Sequence, residues 1–321
     1  MRIGCIVNTA AELMQTRGTG ALVQGLAARG HSIWVCGVAD LVLERSGALA
    51  ALVHDFIDGA LRPEPRRHSL LDSDVLLLRT NPGRDANGPW AHATVLDFAR
   101  LAADAGVRVL NDPNALSKAS GKIYLTSLPE DIRAPTCIAR DIDVLRRFID
   151  DVAGPVVVKP LHGSRGDRVC IVDPADTEAP ETAIGPIVAN DYVVAQPFIT
   201  DSHPGDKRML FLDGALLRHG ETIAAMRRLP ADGDFRGNLH AGGHAAPYRL
   251  SADDHLRAAR VGEVLKRDGI WLAAVDWVGD RVIEVNVSSP GGWPTAEALY
   301  GVEFTPQLLD AVEGRESNST Q

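Results

Sequence analysis

WLAAVDWVGDRVIEVNV, residues 271–287, contains two apolar strands joined by a tight turn at Gly279-Asp280. Asp276 ends the first apolar run, and Glu284 and Asn286 lie on the second. Residues two apart on a strand point to one face, so Glu284 and Asn286 project together and Asp276 meets them from the neighbouring strand. Two carboxylates and one amide oxygen make an all-oxygen set suited to Mg²⁺, which keeps water or phosphate oxygens as its remaining ligands. A merely solvated hairpin face fits less well. Val282, Ile283, Val285 and Val287 are apolar, and a buried carboxylate is costly unless it is paired or metal-bound.

Upstream, VVVKPLHGSRG (156–166) places Lys159 at the end of a buried strand that Pro160 stops. Gly163, Ser164, Arg165 and Gly166 follow. Such a loop can offer backbone N–H groups to phosphates, with Lys159 as a point charge, or it can be an ordinary turn with a basic tip. PGDKR (204–208), RRLP (227–230) and FRGNLHAGG (235–243) spread Arg208, Arg228 and Arg236 over three segments, with Asn238 beside the last. Converging guanidinium groups suit phosphate and carboxylate recognition.

The chain of 321 residues is long enough for two or three domains. Hydrophobic residues make up 45% and aromatic residues only 5%, so the core is aliphatic, as in α/β proteins. Strands at 2–7, 32–38, 74–79 and 107–110 alternate with helices at 20–29 and 91–105. That order implies a parallel sheet with helices on its faces. This first domain is expected to span 1–113. A central unit (114–192) holds a helix at 141–152 and strands at 155–159 and 168–172, with a Pro-rich loop at 173–186. A C-terminal unit (193–314) holds strands at 207–212 and 282–287 and a helix at 252–267, and 315–321 reads as a disordered tail.

A net charge of -9 argues against a global nucleic-acid partner. No apolar run is long enough for a bilayer span, and no signal peptide precedes the first strand, so a cytoplasmic location is expected. Cys5, Cys36, Cys137 and Cys170 are too dispersed for a zinc ribbon or disulfide framework, and Cys5, Cys36 and Cys170 read as buried thiols. There is no P-loop, no dinucleotide fingerprint and no GxSxG elbow. His240 and His244 flank Gly242-Gly243 and do not read as a helical metal pair.

Taken together, RTNPGRD (79–85), VLNDPNALSKASGK (109–122), VVVKPLHGSRG, AQPFI (195–199), GDKRMLFLDG, RLPADGDFRGNLHAGG and VIEVNVSSP resemble the ATP-grasp superfamily, and within it the bacterial glutathione synthetases. The resemblance covers nearly the whole chain, in the family's motif order. It implies an ATP-grasp fold and an ATP-dependent carboxylate–amine ligase working with Mg²⁺ or Mn²⁺ through an acyl phosphate. Small-molecule carboxylate and amine substrates are implied, γ-glutamylcysteine and glycine first, as is a homo-oligomer, dimer or tetramer.

Residue by residue, the resemblance puts Lys122 and Lys159 on ATP phosphates with Gly163, Ser164, Arg165 and Gly166 closing over them. Gln196, Pro197, Phe198 and Ile199 would be the hinge whose backbone reads adenine, and Asp206 would face the ribose or substrate side. Arg208, Arg228, Arg236 and Asn238 would hold phosphate and the activated carboxylate. Asp276, Glu284 and Asn286 would ligate the metal. Arg79, Asn81, Ser288, Ser289 and Gly291 would line the substrate side, with the two serines at the acceptor amine. The chain departs from the family in its glycine loop and in the GSRG and FRGNLHAGG runs, which are closer to RimK-type ligases. It departs again at Gly291-Gly292-Trp293-Pro294, where the family carries a carboxylate-gripping arginine. Trp293 there is expected to wall a less anionic or flatter substrate. The alternatives are an amide ligase with another substrate pair and a nucleotide-binding protein without turnover.

Overall fold

The computed structural model of the chain describes residues 1–15, 17–85, 88–163, 168–175, 179–199, 205–231 and 242–315. Strand β1 (Arg2–Val7), helix α1 (Arg17–Ala28) and strand β2 (Ser32–Gly37) begin a doubly wound sheet. Strands β3 (Leu41–Leu43), β4 (Leu49–Ile57), β5 (Ala60–Leu61) and β6 (Arg66–Ser69) then form an antiparallel extension. Strand β7 (Val75–Leu78), helix α2 (Pro89–Asp104) and strand β8 (Arg108–Leu110) return to the parallel part, giving the order β3-β4-β2-β1-β7-β8. The parallel strands are covered on both faces and are buried almost throughout, which is why they read as continuous apolar runs.

Helix α3 (Pro113–Ala119) starts where Asp112 accepts hydrogen bonds from the N–H groups of Asn114 and Ala115, with Pro113 in the first turn where no donor is needed. The following turns lie against the C-terminal sheet: Leu125, Leu128 and Ile132 share one core with Val275, Trp277 and Val282. The turns at 122–132 therefore pack with the C-terminal unit, helix α3 packs on α2 of the first unit, and the central sheet begins only at its first strand.

That unit comprises β9 (Cys137–Ala139), α4 (Ile142–Asp151), β10 (Val156–Pro160), β11 (Cys170–Val172), α5 (Ala179–Val188) and β12 (Val193–Pro197), in the antiparallel order β11-β10-β12-β9. Two expectations change here. β12 belongs to this sheet, not to the C-terminal unit. The segment expected to be a loop at 173–186 holds most of α5, although Pro186 lies inside the helix. Ile184 and Ile187 are fully buried against the sheet with Leu145 and Val158. Burying two such side chains is worth about 1.5–3 kcal/mol each, enough to offset the penalty of about 3 kcal/mol for a helical proline. Cys170 is only half-buried, whereas Cys5 and Cys36 are buried. Burial pushes the Cys5 thiol up to about 12.

The C-terminal unit runs β13 (Asp206–Leu212), β14 (Ala215–Leu216), a small hairpin of β15 (Arg218–His219) and β16 (Thr222–Ile223), then β17 (Ala225–Leu229) and β18 (His244–Pro247). Helix α6 (Ala252–Arg267), β19 (Leu272–Val278), β20 (Arg281–Asn286), α7 (Trp293–Tyr300) and α8 (Thr305–Glu313) complete it. The antiparallel order is β18-β17-β13-β19-β20. Ser251 and Asp254 cap the start of α6 reciprocally, and Lys266 and Arg267 sit in its last turn, where cations suit the helix dipole. Gly262 lets α6 approach the β13–β14 turn, since a Cβ there would lie 1.9 Å from the Gly214 carbonyl oxygen. Helix α8 packs back on α1, where Arg29 bonds Asp310 at 2.7 Å and Glu313 at 3.0 Å. The first and last units thus share a core containing Leu22, Leu26, Leu308 and Val312.

Candidate active site

The 271–287 hairpin brings Asp276, Glu284 and Asn286 to one face as expected. β19 and β20 pair antiparallel with Asp276 opposite Glu284 and Ala274 opposite Asn286, and the register shifts just beyond, between Asp276 and Trp277. Asp276 is fully buried. Its carboxylate is bracketed by two guanidinium groups: Arg208 donates to both oxygens at 2.7 Å, and Arg228 donates to Oδ2 at 2.9 Å. Asn286 Nδ2 donates to the same Oδ2 at 3.2 Å. β13, beside β19, delivers Arg208 opposite Asp276, and β17, one strand further out, delivers Arg228 opposite Asp206.

Arg228 also donates to Asp206 at 2.6 Å, so the order Asp206–Arg228–Asp276–Arg208 alternates in charge. Burial pushes the Asp206 carboxyl above its usual value against the pull of Arg228. Burial acts the same way on Asp276, but Arg208 and Arg228 outweigh it and hold that carboxyl below the usual range. Burial would weaken the charge on Arg228, yet Asp276 and Asp206 hold its pKa above the ordinary value. Such a buried lattice adds little net stability, though removing one member strands the rest. Asp206, expected to face the ribose or substrate side, accepts from Arg228 at Oδ1.

Two lysines approach from the other side. β10 carries Lys159 on the face opposite the Val156 and Val158 core positions, and its Nζ donates to the Ile283 carbonyl at 3.4 Å. Burial pushes this ammonium down to about 8, with Lys122 adding to the effect and Glu284 and Asp276 opposing it. Lys122 donates to the carbonyls of Pro160 (3.0 Å), Leu161 (3.1 Å) and Gly163 (3.5 Å) and lies 3.8 Å from Glu284 Oε1. It therefore clamps the exit of β10 next to a metal-ligand candidate. Ser164, Arg165, Gly166, Arg236 and Asn238 lie outside the described residues.

At the hinge, Gln196 is buried and donates to Thr136 Oγ1 at 2.9 Å. The Phe198 N–H donates to the Pro155 carbonyl at 2.8 Å, extending the ladder beyond Pro197. Phe198 N–H and the Gln196 side chain are thus already committed, and Ile199 follows the last rung.

On the expected substrate side, Arg79 and Asn81 are turned onto protein. Arg79 is buried, donates to Thr19 Oγ1 at 3.1 Å and to the Pro290 carbonyl at 2.7 Å, and stacks 5.6 Å from the centre of the Trp293 ring. Asn81 exchanges hydrogen bonds with Asn8 and reaches the Ser288 carbonyl at 3.5 Å. Ser289 adopts φ 49° and Gly292 φ 112°. Trp293 does not wall a substrate: it is fully buried, and a Cβ on Gly18 would come within 2.8 Å of its ring. Asn111, read from sequence only as a domain boundary, joins this corner through bonds to Leu272 and Val287. The available signal was a polar residue closing the apolar strand VLN (109–111).

Of the three oxygen-ligand candidates, Glu284 is partly open and can offer a carboxylate to a hard divalent cation, Asn286 turns its Nδ2 to Asp276, and both Asp276 oxygens accept from arginines. No cluster of three His, Cys, Asp or Glu occurs among the described residues, so nucleotide phosphates would have to complete the shell. Among them, too, no helix is long and apolar enough to cross a membrane.

Residues 1–117 match the prokaryotic glutathione synthetase N-terminal domain, and residues 121–301 match the ATP-grasp domain of the same family. The glutathione synthetase of Vibrio cholerae is 30% identical over 328 residues, covering 98% of each chain. Among solved structures, a D-cycloserine synthetase superposes with a TM-score of 0.66 at 18% identity, covering 97% of this chain and 99% of the other. A RimK domain ATP-grasp protein from Sphaerobacter thermophilus superposes with a TM-score of 0.61 at 18% identity, covering 98% and 100%. These two likenesses establish the ATP-grasp fold.

Proposed function

Because this chain belongs to the prokaryotic glutathione synthetase family of ATP-dependent ligases that form C–N bonds, we propose that it joins γ-glutamylcysteine to glycine through an acyl phosphate. The observation that carries the reading is the meeting of Lys159, Lys122 and Glu284 beside the Asp276–Arg208–Arg228 lattice. Lys159 comes from the central sheet and Lys122 from the turn after α3, and both face the C-terminal sheet that carries the arginines and carboxylates, an arrangement suited to transfer of a phosphoryl group to a carboxylate.

A carboxylate is a poor electrophile because its leaving group would be oxide or hydroxide. Phosphorylation by ATP replaces that leaving group with phosphate. Lys159 and Lys122 would balance charge on the transferring group from fixed positions, so little reorganisation is needed at the moment of transfer. Mg²⁺, held by Asp276, Glu284 and Asn286, would supply the remaining positive charge on the phosphates. The amine then attacks the acyl carbon and phosphate leaves. Arg228 and Arg208 would steady the developing oxyanion while Asp206 keeps Arg228 in place. Ile199 N–H would read adenine at the hinge, and Ser288, Ser289 and Gly291 would lie at the acceptor. The products are the amide, ADP and phosphate.

The same reading includes a cytoplasmic homo-oligomer, checked by light scattering of the purified protein. The deciding experiment is phosphate release with Mg-ATP over a panel of carboxylates and amines. A kcat/KM for γ-glutamylcysteine and glycine of about 10⁴ M⁻¹s⁻¹ or more supports the assignment. Ligation confined to another pair transfers it to a different amide ligase, and ATP binding without turnover on any pair refutes it.

A further inference from the structure

The segment after β20 is held from the far side of the molecule. Three side chains at the C-terminal ends of the parallel strands β7 and β8 reach its carbonyl groups. Asn111 Nδ2 donates to Val287 at 3.1 Å, Asn81 Nδ2 reaches Ser288 at 3.5 Å, and Arg79 Nη2 donates to Pro290 at 2.7 Å. Strand ends of this kind are where open α/β sheets present their binding groups, yet here the groups are spent on backbone.

Asn111 also donates to the Leu272 carbonyl at 3.0 Å and accepts from the Leu272 N–H at 2.8 Å. The β19–β20 ladder ends with Ala274 opposite Asn286. On the next rung Leu272 would face Ser288. The Asn111 carboxamide takes Leu272 instead, so the ladder stops directly after the metal-ligand candidate Asn286 and the chain is thrown toward the N-terminal sheet. Arg79 is the only arginine among the described residues that is fully buried, and no described carboxylate pairs with it. Its two hydrogen bonds lock Thr19 to Pro290 across the domain boundary. Between these tethers Ser289 takes the left-handed conformation, at φ 49°, which a non-glycine residue keeps only when its surroundings fix it.

We propose that Arg79, Asn81 and Asn111 are positioning residues that fix the acceptor segment 288–291 relative to Glu284 and Asn286, so that amine recognition is set by the N-terminal domain. This rests on the reading of 288–291 as the acceptor segment. The nucleotide lysines make no contact with these three residues, so ATP recognition stays separate. Arg79 and Asn81 then act through the loop backbone and do not grip the substrate themselves.

The test uses Arg79→Lys, which keeps the charge but cannot span both oxygen acceptors, and Asn81→Asp, an isosteric change that sets an oxygen against the Ser288 carbonyl. Asn81 is only partly buried, so the second variant remains informative if the first folds poorly. The expected result is a rise of about tenfold or more in the KM for glycine, equivalent to about 1.4 kcal/mol, with the KM for ATP within about twofold of wild type. Hydrogen exchange in the ligand-free protein should quicken at 288–291 while β19 and β20 stay protected. This second readout needs no substrate, so it decides the positioning role even if the proposed ligation is not found. Unchanged exchange at 288–291 in both folded variants overturns the proposal. A parallel rise of the ATP and amine KM values overturns it too.

Discussion

Replacing Lys159 with methionine should make the ligand-free protein more stable and weaken its binding of ATP. The ammonium is buried on β10 with a single long contact to the Ile283 carbonyl, and burial lowers its pKa from 10.5 to about 8. The fall from 10.5 to about 8 is worth roughly 3–4 kcal/mol at about 1.4 kcal/mol for each tenfold change. That is the amount by which the folded state disfavours the charged lysine. Below pH 8 the wild type carries the whole of this penalty. Between pH 8 and 10.5 the unfolded chain holds the proton more tightly than the folded one, so wild-type stability rises with pH. Methionine, apolar and of similar length, removes the penalty, less about 1 kcal/mol for the lost hydrogen bond. Urea denaturation in EDTA at pH 7 should therefore show Lys159→Met roughly 2–3 kcal/mol more stable, with the difference shrinking toward pH 10.5. Calorimetry with Mg-ATP should show an affinity lower by about tenfold or more, since a charge-assisted contact worth about 1.5–3 kcal/mol is gone. A variant no more stable than wild type, with a difference independent of pH, would refute the idea that this charge is held strained for a phosphate.

Glu284→Gln should leave the fold intact and remove turnover, with partial recovery as Mg²⁺ is raised; wild-type rates at limiting Mg²⁺ would exclude Glu284 from the metal site. Gly205→Ala should cost on the order of 3 kcal/mol or more, because Gly205 has φ 80° and a Cβ there would lie 1.9 Å from the Arg228 carbonyl oxygen; its melting temperature and ATPase rate should fall together. Asp254 titrates at about 2: burial pushes it up, but hydrogen bonds from Tyr248, Ser251 and Lys207 outweigh that. Its contribution is complete above pH 3.8 and lost as pH falls through about 2. Asp254→Asn should accordingly flatten the acid limb of the stability profile, as followed by circular dichroism, and an unaltered limb would show that this cluster is not involved.

Much of the molecule is legible in local pattern. The 271–287 hairpin needs only the two-residue strand period and one turn to bring Asp276, Glu284 and Asn286 to one face, and the register agrees. Helix α6 could be read to the residue because Ser251 and Asp254 cap it and Gly269 follows it. Helix α5 could not, because its Pro and acidic residues signal a loop and only burial of Ile184 and Ile187 against another sheet overrides them. Trp293 misled for a similar reason. Its place in the motif order suggested a wall for substrate, whereas Gly18, on a helix some 275 residues earlier in the chain, leaves the space that buries it.

Local pattern carried the fold family and the shared strand face of Asp276, Glu284 and Asn286, because strand period, turn chemistry and motif order are local properties of the chain. Tertiary structure decided what each charge is paired with. Asp276 meets Arg208 and Arg228, Asp206 turns to Arg228, and Arg79, Asn81 and Asn111 bind carbonyl groups of a loop more than 170 residues away. Pairing at that range depends on which strands lie side by side and on how far each partner is removed from water, and neither is written in the neighbours of a residue along the chain.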